Sequence, residues 1–85
     1  MFYVYILKSR KDKFLYTGST KDLKQRLKLH NEGKVFSTKS RKPFDLVYYE
    51  AYNSEIDARS RESSLKLRAN AFSQLKRRIM FSLKY

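Results

Sequence analysis

The sequence contains no cysteine, one proline, two glycines and a single histidine among its 85 residues. Without cysteine, the chain can form neither a disulfide nor a thiolate metal site. The single histidine, His30, excludes a histidine-rich metal site. Any metal ion must therefore be bound mainly by oxygen atoms, which favours Mg²⁺ or Mn²⁺.

Long apolar runs are also missing. The run from Phe2 to Leu7 is too short for the core of a signal peptide, no basic segment precedes it, and Lys8 follows it directly. No window approaches the roughly 20 apolar residues of a membrane-spanning helix. We therefore expect a cytoplasmic protein with no membrane partner.

Acidic residues are scarce, because 8 Asp and Glu stand against 20 Lys and Arg, for a formal net charge of +12. Such an excess is typical of proteins that bind an anionic partner, most often nucleic acid. A ribosomal or membrane-surface protein would show the same charge, and composition does not separate DNA from RNA.

Hydrophobic residues make up 41% and aromatic residues 15% of the chain, enough for a core, so we expect one globular domain over residues 1–85.

Two short apolar runs at the amino terminus predict a β-hairpin. Phe2 to Leu7 and Phe14 to Thr17 flank a charged, turn-like segment. Strand alternation places the odd-numbered residues of the first run on one face and the even-numbered residues on the other. Tyr5 and Tyr16 then lie near each other if the register agrees. The alternative is that both are ordinary half-buried strand tyrosines.

A helix is predicted from about Lys21 to Asn31, with Ser19 or Thr20 as its N-cap, Asp22 in its first turn and a stop at Gly33. Its apolar stripe consists of Leu23, Arg26, Leu27 and His30. Arg26 and His30 are four residues apart and share the face toward the sheet. An arginine on an apolar face is costly unless it meets an anion. The alternatives are a snorkelling arginine and a hydrogen-bonded boundary histidine.

The next segment, from Gly33 to Pro43, is a loop that is rich in basic and hydroxyl side chains. Such side chains suit contacts with nucleic-acid phosphates that do not read the base sequence. The alternative is a solubilising loop. Its four basic residues are Lys34, Lys39, Arg41 and Lys42.

Phe44 to Tyr52 reads as a third strand, in which Asp45 and Glu50 are expected to pair with nearby basic side chains. A further helix opens at Asn53-Ser54, where Ser54 and Asp57 resemble a capping box.

Glu62 lies on the side of this helix that carries small and apolar residues, so it is the acid most plausibly aimed inward. The alternative is an ion pair with Lys66 or a contact with Arg59. Asn70 is expected to cap a last helix with an apolar stripe and a basic outer face.

The predicted order of elements is therefore β, β, α, β, α, α. This order gives a small α/β domain with a three-stranded, largely antiparallel sheet flanked by helices.

Taken together, these residues resemble the signature of the GIY-YIG nuclease domain family. In that family a Gly-Ile-Tyr-like triplet is followed, after ten or eleven residues, by Tyr-Ile-Gly, then by a helix carrying Arg, and later by a Glu that binds a divalent metal ion. Some branches also carry a His four residues after the Arg. The matching positions here are Tyr3-Val4-Tyr5, Tyr16-Thr17-Gly18, Arg26, His30 and Glu62.

The resemblance covers nearly the whole chain. The chain resembles the small stand-alone basic members more than it resembles the nuclease module of the excision-repair incision subunit. Two positions depart from the pattern: Tyr3 stands where the family has glycine, and a later Asn of some members has no counterpart, since Asn70 comes too soon.

The resemblance implies a divalent-metal-dependent endonuclease that hydrolyses DNA, in repair or another processing reaction. Glu62 would bind a single Mg²⁺ or Mn²⁺ ion, and Arg26 would hold the scissile phosphate. Tyr5 or Tyr16 would orient or deprotonate the attacking water, and His30 would assist that tyrosine or contact the phosphate. Gly18 would let the backbone turn beside the site. The alternatives are a non-catalytic DNA- or RNA-binding module on the same fold and a structural protein whose charges are incidental.

Overall fold

The computed structural model describes residues 1–84 and contains the predicted elements in the predicted order. The strands are β1 (Phe2–Ser9), β2 (Leu15–Thr20) and β3 (Phe44–Tyr52). The helices are α1 (Leu23–Asn31), α2 (Glu55–Leu67) and α3 (Ala69–Arg78), and short 3₁₀ turns occupy Lys39–Arg41 and Ser82–Lys84. The sheet has the order β2-β1-β3 with both pairs antiparallel, which confirms the predicted fold class.

The central strand, β1, divides the core into two clusters. Val4 and Ile6 face α2 and α3, where they pack against Ala58, Leu65 and Leu75. Tyr5 and Leu7 face the other side, where Phe44 and the apolar residues of α1 cover them. All four β1 side chains are at most 1% exposed, so the predicted alternation is confirmed.

The predicted N-cap of α1 is wrong. β2 continues through Thr20, which pairs with Tyr3, so Ser19 and Thr20 remain in an extended strand. The N-cap is instead Asp22, whose carboxylate accepts a hydrogen bond of 3.0 Å from the Gln25 backbone N–H.

Ser54 occupies the N-cap position of α2 as predicted, but its side chain makes no capping hydrogen bond, so the predicted capping box does not form. The predicted N-cap of α3 is wrong. α3 begins at Ala69, with Arg68 at the N-cap position, because Arg68 alone separates it from the end of α2. Asn70 therefore lies within the first turn of α3.

The two acids of β3 are paired, as expected. Asp45 forms an exposed pair with Arg10, whereas Glu50 is largely buried and accepts hydrogen bonds from Arg61, Tyr48 and Tyr52. Burial alone would raise the pKa of Glu50, but these hydrogen bonds outweigh it and hold the pKa below its ordinary value. The Glu50 cluster lies on the face of the sheet that packs against α2 and α3.

Within residues 1–84, no helix combines the length and the apolar character that crossing a membrane requires.

We predict that Glu50→Ala lowers the free energy of unfolding by about 3 kcal/mol, because it leaves a half-buried guanidinium and two tyrosine hydroxyls without their acceptor. Asp45→Ala is the matched control on the same strand, since it breaks an exposed pair and should cost much less. Urea unfolding of both variants measures the difference. Equal losses would contradict a structural role specific to Glu50.

Candidate active site

Tyr5 stands at the centre of the candidate site. It is 1% exposed, and its hydroxyl lies 2.9 Å from Nε2 of His30. Tyr5 pairs with Gly18 across the hairpin and Leu7 pairs with Tyr16, so the two tyrosines are diagonal neighbours on one face. Their ring centroids are 6.4 Å apart. The structure therefore brings Tyr5, Tyr16 and His30 together.

Gly18 makes this arrangement possible, but not for the reason that the sequence suggested. It lies inside β2 and does not have a positive φ, so the predicted turn at this residue is wrong. A Cβ atom at this position would lie 2.4 Å from the Tyr5 hydroxyl oxygen and 2.5 Å from Cζ of the same ring. The missing side chain thus leaves the space that the buried Tyr5 ring occupies.

His30, near the end of α1, is fully buried between the sheet and the loop that follows the helix. Its Nδ1 lies 2.8 Å from Oγ1 of Thr38, and the rings of Tyr16 and Phe44 pack edge-on against it. Burial lowers the pKa of His30 to about 4, and the positive charge of Arg26 adds to this effect. The imidazole is therefore neutral at pH 7.

Arg26 lies one helical turn before His30 and is half-buried beside Tyr5. Its Nε is buried and has no hydrogen-bond partner among residues 1–84. Burial raises the pKa of Tyr5 to about 12, although the Arg26 guanidinium acts in the opposite direction. A buried guanidinium N–H without an acceptor is costly, so this group is available to donate a hydrogen bond to an anion.

Glu62 approaches the site from α2, across the edge strand β2. Its Oε1 accepts a hydrogen bond of 2.8 Å from the Ser19 hydroxyl, and its Oε2 lies 2.9 Å from Nζ of Lys66. The same Nζ lies 5.9 Å from the centroid of the Tyr16 ring. Glu62 therefore has the predicted inward position and also forms the ion pair with Lys66 that was the alternative. The alternative contact with Arg59 does not form, because Arg59 pairs with Glu55.

The oxygen atoms around Glu62 fit only one kind of metal site. Residues 1–84 hold no group of three or more His, Cys, Asp and Glu side chains that could bind a metal ion. A single carboxylate, 20% exposed and next to the Ser19 hydroxyl, fits a hard divalent ion that takes its other ligands from water and a substrate phosphate. Lys66 would have to release one carboxylate oxygen, and its 45% exposure leaves it room to move.

The basic loop residues do not join this cluster. Lys34 pairs with Glu32, Lys39 lies over the Phe36 ring, and Lys42 runs past Gly33, each on the surface. Arg41 is different, because it is half-buried, donates a hydrogen bond of 2.8 Å to Asp12 and lies over the Phe44 ring. Arg41 thus holds the loop on the hairpin.

Three polar residues at the site were not selected from the sequence as site residues: Ser19, Thr38 and Lys66. Lys66 was considered only as a possible ion-pair partner of Glu62. Thr38 had no sequence signal beyond the hydroxyl-rich character of its loop, because its contact with His30 depends on how the loop folds.

The pKa of His30 predicts how the free energy of unfolding changes with pH. The imidazole binds a proton near pH 6.5 when the chain is unfolded but only near pH 4 when it is folded, so acid favours the unfolded state. We expect the protein to lose about 2 kcal/mol of stability between pH 7 and pH 5.

His30→Gln provides the control, since it removes the only imidazole of the chain. Chemical unfolding at several pH values should give a slope for the wild type and a nearly flat profile for the variant between pH 7 and pH 5. Parallel profiles would show that His30 is not buried in its neutral form.

Comparison with known proteins identifies the family to which this arrangement belongs. The family model of the GIY-YIG catalytic domain matches residues 1–77. A UPF0213 protein of Clostridium perfringens is 48% identical over 67 residues, which cover 78% of this chain and 71% of that protein. A UPF0213 protein of Streptococcus pyogenes is 45% identical over 74 residues, which cover 86% of this chain and 79% of that protein.

The solution NMR structure of a UPF0213 protein from Bacillus halodurans has a similar fold. It superposes with a TM-score of 0.54 at 40% sequence identity, over 88% of this chain and 82% of that one. The fold, the match over most of the chain and the similarity to these relatives agree with one another. The chain therefore belongs to the GIY-YIG family.

Proposed function

We propose that the protein is a divalent-metal-dependent endonuclease that hydrolyses phosphodiester bonds in DNA. Membership of the GIY-YIG family supports a nuclease-like role on a nucleic-acid substrate. The observation that carries the proposal is the unpaired, buried Nε of Arg26 beside the Tyr5–His30 hydrogen bond. A group that can bind an anion would thus lie next to a hydrogen bond along which a proton can move.

Hydrolysis requires a water molecule that loses a proton as it attacks phosphorus. Burial raises the pKa of Tyr5 to about 12, so its phenol is protonated at neutral pH. We therefore propose a coupled transfer, in which Tyr5 accepts the proton of the attacking water while its own proton passes to Nε2 of His30. Tyr16 contacts His30 only through its ring, which favours Tyr5 for this step.

The negative charge that develops on the phosphate must be offset. Arg26 can donate hydrogen bonds to the phosphate oxygens from a position that is already buried, so little reorganisation is needed when the charge develops. Burial is the main reason that a proton on His30 is unfavourable in the free protein, and the Arg26 guanidinium adds to this effect. An anionic phosphate would relieve the part that Arg26 contributes.

Glu62 is the residue that would hold the metal ion, with the Ser19 hydroxyl beside it. When bound, a Mg²⁺ or Mn²⁺ ion supplies positive charge to the phosphate and to the leaving oxygen. Before binding, Lys66 neutralises the carboxylate. Afterwards its ammonium group is free to contact the nucleic acid near Tyr16.

The net charge of +12 supports a nucleic acid as the partner. We propose that Lys34, Lys39 and Lys42 contact backbone phosphates, because all three are exposed on the loop that follows α1. Arg41 is occupied by Asp12 and is not included. We place this activity in the cytoplasm, in DNA repair or another processing reaction.

One observation favours a second candidate, a non-catalytic nucleic-acid-binding module on the same fold. The Lys66–Glu62 ion pair gives the carboxylate a partner without any metal ion. In a binding module this pair would be permanent, and removing Glu62 would change affinity but no catalytic rate. Measuring cleavage and affinity on the same variants separates the two candidates.

For Glu62→Gln, we predict that cleavage falls by about 100-fold or more, because several kcal/mol of metal-derived stabilisation are lost. DNA affinity should stay constant or increase, since a negative charge is removed. Glu55→Gln is the control, because this exposed acid of α2 pairs only with Arg59. Parallel losses of cleavage and affinity in Glu62→Gln would contradict the metal-ligand role.

Arg26→Ala is expected to lower kcat by about 100-fold, as the loss of one preorganised charged donor does in other hydrolases. Lys24→Ala, on the exposed face of the same helix, should only weaken binding in a salt-dependent way. Single-turnover cleavage at saturating protein separates the two effects. Similar behaviour of the two variants would reduce Arg26 to general surface charge.

A further inference from the structure

The buried residue Thr38 has no role in the function proposed so far. It belongs to the loop between α1 and β3, yet its exposed fraction is 0%. Its Oγ1 lies 2.8 Å from Nδ1 of His30 and 3.4 Å from the carbonyl oxygen of Val35. The Thr38 hydroxyl thus connects the basic loop to the only histidine of the chain.

The Val35 carbonyl can only accept, so its contact of 3.4 Å has the Thr38 hydroxyl as donor. This contact favours Oγ1 as the acceptor in the shorter contact with His30. A neutral imidazole carries one N–H, and this contact places it on Nδ1. Nε2 is then the acceptor.

The contacts of Tyr5, on the other side of His30, favour the same hydrogen-bond direction. The Arg26 guanidinium lies beside the Tyr5 hydroxyl, and a guanidinium can only donate. Arg26 therefore cannot accept the Tyr5 proton, and Nε2 of His30, 2.9 Å from the hydroxyl oxygen, is the acceptor that the described residues offer. The hydrogen bonds of the resulting series all run the same way, from Tyr5 to His30, from His30 to Thr38 and from Thr38 to the Val35 carbonyl.

We propose that Thr38 is a positioning residue, which holds His30 in the Nδ1–H tautomer so that Nε2 is free to accept the proton of Tyr5. The catalytic consequence rests on the proposed function. The tautomer itself does not, because it follows from hydrogen-bond donors and acceptors within the folded chain. Thr38 acts only through His30 and contacts no reacting atom.

The tautomer can be measured directly, because the chain contains a single histidine. Long-range ¹H–¹⁵N correlation spectra of the ¹⁵N-labelled wild type at pH 7 distinguish protonated from unprotonated ring nitrogens. We expect a protonated Nδ1 and an unprotonated Nε2. A protonated Nε2 in the wild type would overturn the proposal, whatever the variants do.

Thr38→Val keeps the shape of the side chain but removes the acceptor, so the His30 signals should shift toward the Nε2–H form. Thr38→Ser should restore the wild-type pattern, and Ser37→Ala, at the exposed neighbouring position, should leave it unchanged. On a DNA oligonucleotide, Thr38→Val should lower kcat by about 10- to 100-fold with little change in Kd. Unchanged His30 signals in folded Thr38→Val would overturn the proposal.

Combining the two readouts separates this inference from the proposed function. If the wild type shows the expected tautomer but cleaves no DNA, the hydrolytic function fails and the positioning by Thr38 stands. If the wild type cleaves DNA and Thr38→Val does so at the same rate, the role of Thr38 in catalysis is wrong. If Thr38→Val does not fold, the wild-type spectrum still decides the tautomer.

Discussion

The hydrogen bond between the Tyr5 hydroxyl and Nε2 of His30 is the contact on which the site depends, because it joins the central strand to α1. It requires Gly18, since any larger residue would occupy the space of the Tyr5 ring. It also requires a neutral imidazole, which burial provides by lowering the pKa of His30 to about 4. One buried series of hydrogen bonds thus fixes the helix, the hairpin and the loop at Thr38 relative to one another. Each donor in this series needs its acceptor.

A comparison of the two faces of the sheet shows how similar residues serve stability on one side and the candidate chemistry on the other. On the face toward α2 and α3, Glu50 accepts hydrogen bonds from an arginine and two tyrosines, so the cluster is complete. On the opposite face, Arg26 retains an unpaired buried N–H, and Glu62 is reached across the edge of β2. An arginine without its anion costs stability in the free protein. This cost fits the proposal that a phosphate supplies the missing acceptor.

The sequence was sufficient for the fold and for the faces on which most members of the cluster lie, because both depend on short-range regularities; their choice as site residues came from the resemblance to the GIY-YIG family. Strand alternation placed Tyr5, and the four-residue spacing on α1 placed Arg26 and His30 on one face. The N-caps of α1 and α3 were mispredicted. For α1, the cap depends on which residue leaves the strand, and β2 extends to Thr20. Thr38 and the pairing of Arg41 with Asp12 had no sequence signal, since each joins positions brought together only by the folded loop. Why residue 18 must be glycine could be seen only in the structure. The sequence does not show whether a turn or a close contact requires the glycine.

Nicking of supercoiled plasmid DNA by the purified wild-type chain tests the central claim most directly. Parallel reactions contain Mg²⁺, Mn²⁺ or EDTA, and all contain enough protein to bind the plasmid at low salt. The proposed hydrolytic site predicts nicked product with either ion and none with EDTA. Tight, salt-sensitive binding with intact plasmid in all three reactions would contradict it and would identify the chain as a binding module.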